Sequence, residues 1–182
     1  MKDRSLDSQA LDVAALCKQA ATVQGQSPLA GMQRLSEEFV AASDGSASWS
    51  ATGSLRPVIG GEPEIWMSLQ GQAEVPLQCQ RCLQAMTESL VVDRHFRFVR
   101  NEEDAAALDE ESEDDVLALP PRLDLLALLE DEFILALPIV PRHAVCPQPL
   151  QLPADELDQE PAPNPFAALA TLRGRSSGGS SG

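Results

Sequence analysis

Two hydrophobic periods divide this chain. Apolar residues recur every three to four positions over roughly the first forty residues, and every second position between residues 48 and 99. Over residues 6–23, Leu6, Ala10, Val13, Ala14, Cys17 and Ala21 share one helical face. The spacing predicts a first helix with Cys17 turned inward as a small buried hydrophobe. A second helix is predicted from Ser27 as N-cap and Pro28 at the first helical position, carrying Leu29, Met32, Leu35, Phe39 and Val40 before Ser43, Asp44 and Gly45 stop it. Together they make an expected N-terminal helical hairpin.

The period then changes to two. Trp49, Ala51, Gly53 and Leu55 alternate with Ser48, Ser50, Thr52 and Ser54, and the strand ends before Pro57. After Gly60 and Gly61, Ile65, Met67, Leu69, Gly71, Ala73, Val75, Leu77 and Cys79 point one way while Ser68, Gln70, Gln72, Glu74 and Gln78 point the other. Cys79 is thus the last inward residue of a long strand. A third strand, residues 90–99, puts Leu90, Val92, Phe96 and Phe98 on one face with Arg94 interrupting, and His95 beside Asp93 and Arg97 on the outer face. The three strands predict an antiparallel sheet with one buried side.

Residues 102–115 hold nine acids and no base, which predicts a solvated, mobile acidic loop. Past Pro120 and Pro121, a helix over residues 124–137 carries Leu125, Leu126, Leu129, Phe133, Ala136 and Leu137, and Pro138 ends it. Residues 151–175 form an expected extended docking tail, rich in proline and acid. Near its end Phe166, Leu169 and Leu172 lie three apart on a short helical stripe, with Asn164 as cap and Arg173 and Arg175 at the far end. Residues 176–182, SSGGSSG, have the composition of an engineered linker and are set aside. The expected fold class is therefore α+β in a single domain over residues 1–150, comprising hairpin, antiparallel sheet, acidic loop and packed C-terminal helix.

Composition narrows the function classes. With 28 acids against 13 bases the net charge is -15, which repels a phosphate backbone and favours a basic partner. The expected contacts are Glu102, Glu103, Asp104, Asp109, Glu110, Glu111, Glu113, Asp114 and Asp115, with Phe166, Leu169 and Leu172 of the tail. Nothing near Met1 has the basic-then-apolar form of a secretory signal. The longest apolar run, residues 133–140, is broken by Pro138 and too short to span a bilayer. A cytoplasmic protein without membrane partners is expected.

The chemistry sits in LLEDEFILALPIVPRHAVC, residues 128–146, and in the CQRC knuckle of residues 79–82. Cys79 and Cys82 have the spacing of half a zinc site, because two intervening residues let a tight turn present both thiolates to one ion. His143 and Cys146, spaced alike, would complete it. The alternative is that Cys79 packs inward and Cys82 caps a turn. A low-pKa redox pair is disfavoured, since the knuckle follows a strand instead of opening a helix. Glu130, Asp131 and Glu132 point about 100° apart on a helix and cannot converge on one site. Glu132 nevertheless falls close to the apolar face and needs a partner, for which Arg81, Arg142 and Arg94 are available. No phosphate loop, nucleophile elbow or Ser/His/Asp arrangement is present, so no enzyme is expected.

CQRC, LLEDEFILALPIVPRH and the terminal APNPFAALATLRGR, in this order with an acidic stretch between the first two, make the chain resemble the bacterial YceD proteins over most of residues 5–175. The resemblance implies a ribosome biogenesis role in the synthesis, processing or stability of 23S ribosomal RNA. It also implies a basic large-subunit ribosomal protein or assembly factor as partner, since the family's gene commonly neighbours that of such a protein. Contact with ribosomal RNA would then be indirect. Some members have a fuller second set of cysteines where this chain has His143 and Cys146. Two alternatives stay open: an RNA-binding module using Arg94, Arg97 and Arg100, and a thiol-dependent protein of other role.

Overall fold

The computed structural model describes residues 7–147 of the 182. The expected tail, with Phe166, Leu169 and Leu172, lies outside the described residues.

The centre of the fold is a five-stranded sheet in the order β1-β2-β3-β4-β5, with β1 Thr22–Pro28, β2 Ser46–Arg56, β3 Glu64–Gln78, β4 Ala85–Val99 and β5 Asp115–Ala118. Strands β2 to β4 stand where the two-residue period put them, though β4 begins five residues earlier than expected. All neighbours pair antiparallel except β5, which runs parallel to β4 through Phe96↔Asp115 to Val99↔Ala118. The sheet is therefore mixed, and the expectation of a purely antiparallel one is corrected.

The helical hairpin is also corrected. Helix α1 is only Val13–Lys18, capped by Asp12, whose carboxylate accepts from the Ala15 N–H at 2.9 Å. Ala20, at φ 46, turns the chain into β1. Residues 22–28 pair with β2 instead of continuing a helix, because Thr22 and Val23 are β-branched and Gly25 costs a helix about 1 kcal/mol. What remains of the second helix is a 3-10 turn, Leu29–Gly31, and the single turn α2, Gln33–Ser36. Pro28 ends β1 and precedes the 3-10 turn instead of opening a long helix.

The acidic segment is not a loop. Residues Glu102–Asp109 form α3, and β5 follows it. Asn101 caps the helix by accepting from the Asp104 N–H at 2.8 Å, and Glu102, Glu103 and Asp104 occupy the first turn, where the helix dipole favours negative charge. Three alanines then propagate it.

The buried face of the sheet carries Ala51, Met67, Leu69, Val75, Leu90, Phe96 and Phe98, and two helices close it. Helix α4, Leu125–Leu135, lies across Gly71, where an added Cβ would stand 2.7 Å from Leu129 Cδ1 and 3.1 Å from Phe133 Cζ. Helix α1 lies on Gly53, where a Cβ would come 2.7 Å from the Cys17 nitrogen and 2.8 Å from the Leu16 carbonyl carbon. Cys17 is buried there, and its thiol donates to the Trp66 carbonyl at 3.2 Å. An antiparallel bridge between Leu11 and Leu123 fastens the first residues to the segment that leads into α4.

Candidate metal centre

Strand β3 delivers Cys79 to the end of the buried face, and β4 restarts at Ala85, so residues 79–84 must reverse the chain in one tight turn. The Leu83 N–H donates to the Cys79 carbonyl at 2.8 Å, and the Cys79 N–H to the Gln84 carbonyl at 2.9 Å. Leu83 takes φ 59, a left-handed conformation that costs a branched residue about 1 kcal/mol. That turn aims both knuckle sulfurs the same way. On the other side, Pro138 releases the chain from α4, and the Pro141 carbonyl accepts from the Gln80 N–H at 2.9 Å. This one backbone bond holds residues 141–146 against the knuckle.

The result is a convergence of four ligand atoms. The sulfurs of Cys79, Cys82 and Cys146 and an imidazole nitrogen of His143 all lie within 4.8 Å of one another. Cys79 Sγ stands 3.8 Å from Cys146 Sγ, and Cys82 Sγ 3.4 Å from His143 Nδ1. All the cysteines are free thiols. A tetrahedron with metal–sulfur bonds of about 2.3 Å has sulfur–sulfur edges of about 3.8 Å, and a nitrogen at about 2.0 Å gives a sulfur–nitrogen edge of about 3.5 Å. The donor set therefore has the spacing of a closed Cys3His centre. It fits zinc, the ion for which three thiolates and one imidazole are ordinary ligands.

The surroundings support anionic sulfur. Burial pushes the Cys79 thiol up, but N–H groups of His143, Cys82 and Arg81 and the His143 side chain outweigh it and bring it down from 9.0 to about 5. Burial pushes the Cys82 thiol up, and its neighbours Cys146 and Cys79 add to the rise. The knuckle thus favours one thiolate and resists a second, which is the conflict a cation resolves. Besides the four ligand atoms, Arg81 Nε donates to Cys146 Sγ at 3.0 Å, and the backbone N–H of His143 to Cys79 Sγ at 3.4 Å. The packing alternative holds for burial alone: Cys79 is fully buried and Cys82 nearly so, yet both sulfurs face the cluster.

The other sequence-derived residues are placed differently. Glu132 is buried, and its partner is Arg94, whose Nε lies 3.1 Å from Glu132 Oε2 and whose second nitrogen lies 2.8 Å from Asp115. Arg81 serves Cys146 instead, and Arg142 has no carboxylate partner among the described residues. Burial raises the Glu132 carboxyl above its ordinary 4.5, the Arg94 charge lowers it, and nearby Asp115 and Asp131 raise it again. Glu130 was missed by sequence reasoning. It is buried on the opposite side of α4, accepting from the Leu35 N–H at 3.1 Å and pairing with Arg34 at 3.1 Å, and so clamps α2 to α4. The signal was present: acids at 130 and 132 flank the apolar stripe of α4 on its two sides, with Arg34 as a free base on a neighbouring element.

Arg94 and Arg97 of β4 and Arg100 just beyond it do not form an open basic face. Arg94 is taken by Glu132 and Asp115, Arg97 by Glu64 at 2.8 Å, and Arg100 by Glu62 at 2.5 Å. By contrast Glu102, Glu103, Asp104, Asp109, Glu110, Glu111 and Glu113 are exposed, and Asp114 and Asp115 half-buried. Among the described residues no helix is long and apolar enough to cross a membrane.

Comparison with known proteins identifies the family. The family model described as "Large ribosomal RNA subunit accumulation protein YceD" matches residues 67–173, from β3 through both halves of the cysteine cluster. A protein of Haemophilus influenzae bearing the same description is 35% identical over 121 residues, which cover 62% of this chain and 68% of that protein. No solved structure matches. With the family model covering more than half of its length, the chain belongs to the YceD family.

Proposed function

We propose that this chain supports accumulation of the large-subunit ribosomal RNA as a non-catalytic assembly factor that holds a basic ribosomal protein or another basic assembly factor. The relative's name supports the biological role. The observation that carries the mechanism is the division of charge: α3 and the turn after it display acids with no base among them, while Arg94 and Arg97 of β4 and Arg100 just beyond it are each bound to a carboxylate. A helix gives those acids a fixed spacing, so they attract a basic partner with less ordering entropy than a loop would. RNA is reached through that partner, because a chain of net charge -15 repels phosphate. Zinc held by Cys79, Cys82, His143 and Cys146 would act structurally, joining the β3–β4 turn to the segment after α4. Four protein ligands are the complement of a structural site.

The test is association with purified basic large-subunit ribosomal proteins. Changing Glu102, Glu103, Glu110 and Glu111 to Gln is expected to slow association about tenfold at 50 mM salt and to flatten its salt dependence, as steering charges do. An unchanged rate would reduce α3 to a solvated face. Tight gel-shift binding of ribosomal RNA by the chain alone would instead favour direct contact.

A further inference from the structure

The three cysteines of the cluster are not equivalent. Cys79 is fully buried and Cys82 is 8% exposed, whereas Cys146 is reached by solvent. Cys146 also carries the one cationic side-chain contact in the cluster, the Arg81 Nε–H at 3.0 Å, and it has Cys79 Sγ 3.8 Å away. The guanidinium that donates to this sulfur also stands where it can stabilise the oxygen of a sulfenate formed there. Oxidation therefore enters at Cys146, with Cys79 Sγ at 3.8 Å placed to resolve it and Cys82 Sγ also within 4.8 Å.

We propose that Cys146 is a peroxide-sensitive site, oxidised by hydrogen peroxide and resolved by Cys79 as a reversible disulfide that opens the metal centre. In the first step the Cys146 sulfur attacks one peroxide oxygen and the O–O bond breaks. Cys146 becomes a sulfenic acid, and the departing hydroxide takes a proton to leave as water. In the second, the Cys79 thiolate attacks the Cys146 sulfur, the S–O bond breaks, and the hydroxide again leaves as water with a proton from solvent. Two thiolates lose two electrons, one peroxide is reduced to two waters, and one S–S bond forms. The new bond of about 2.05 Å draws together sulfurs now 3.8 Å apart and removes two of the four ligands. Cys82 and His143 alone cannot retain zinc in a closed site.

This chemistry differs from a CxxC redox pair. It joins the knuckle to the far side of the cluster and leaves Cys82 reduced. The loss of zinc rests on the metal assignment above, but the sulfur chemistry does not, so the two can fail separately.

The experiment uses the full chain, loaded with zinc and also metal-free, treated with hydrogen peroxide. Disulfide-linked peptides are mapped by mass spectrometry while released zinc is read with a colorimetric chelator. The expected result is a Cys79–Cys146 cross-link in both forms, zinc release from the loaded form in step with it, and recovery of both thiols with a dithiol reductant. Arg81→Ala keeps all four ligands and should slow cross-linking at least fivefold. A Cys79–Cys82 or Cys82–Cys146 cross-link, sulfinic acid at Cys146 without any cross-link, or an Arg81→Ala rate equal to the parent would each overturn the proposal. A metal-free preparation that takes up no zinc yet forms the Cys79–Cys146 bond would overturn the zinc assignment and leave the oxidation site standing.

Discussion

Arg94 joins three elements through one guanidinium, and its removal tests how far that junction supports the fold. Arg94→Met keeps most of the aliphatic stem on β4 but leaves Glu132 on α4 and Asp115 on β5 without their cation. Removing one partner of a buried pair costs about 3–5 kcal/mol. Here the Arg94 side chain is 46% exposed, so water screens part of the attraction, whereas the Glu132 side chain is only 9% exposed. Asp115, 40% exposed, contributes no more than about 1 kcal/mol. The expected loss is about 2–3 kcal/mol at neutral pH, or a fall in Tm of about 5–10 °C for a chain of this size. Its pH dependence follows from the direction of the Glu132 shift. A carboxyl raised by burial binds its proton more tightly in the folded state, so its contribution is fully present below the unfolded value and is lost as pH rises through the folded one. Without Arg94 the folded value rises further. The difference between variant and parent should be small below about pH 4.5 and grow toward neutrality. Adding Glu132→Gln to Arg94→Met should restore at least half of the neutral-pH loss, because no buried charge is then left unpaired. Denaturant unfolding from pH 4 to pH 8 measures this. A loss that is independent of pH, or that the second substitution deepens, would refute the reasoning.

Elemental analysis of protein prepared without chelator should find about one zinc per chain, and Cys79→Ser or Cys82→Ser should each release it and lower the Tm. Because zinc displaces the proton from Cys82, whose thiol burial pushes up, apparent zinc affinity should fall as pH is lowered; affinity that does not change with pH would argue against thiolate ligation. Gly53→Ala should cost about 1–3 kcal/mol, since its Cβ would meet backbone of α1 at 2.7 and 2.8 Å and no flexible side chain can yield, and an unchanged unfolding midpoint would contradict that seating.

How much of this was legible in sequence depended on which term dominated locally. The long strands and α4 were plain because a buried face imposes its period on every residue, from Ile65 to Cys79 and from Leu125 to Phe133. The four residues of the candidate metal centre were legible from type and spacing, though only the fold brings residues 64 positions apart, Cys79 and His143, to 3.4 Å. The N-terminal hairpin misled because short apolar residues at helical spacing also suit a short helix followed by an edge strand. Gly25 and the β-branched Thr22 and Val23 carried the contrary signal. In residues 102–115 net charge overshadowed local chemistry, since an Asn cap, three first-turn acids and three alanines specify a helix even where no core demands one. Strand β5 was invisible to periodicity. Its four residues are set by pairing with β4 and by the Arg94–Asp115 bond, both of which are tertiary.

The central claim is that α3 presents acids to a basic partner in support of large-subunit ribosomal RNA accumulation. It is tested most directly in cells lacking their own copy of this gene, by the ratio of large- to small-subunit ribosomal RNA after complementation. The chain with Glu102, Glu103, Glu110 and Glu111 changed to Gln, folded and expressed at the parent's level, should fail to restore the ratio that the parent restores. Full restoration by that variant would contradict the account.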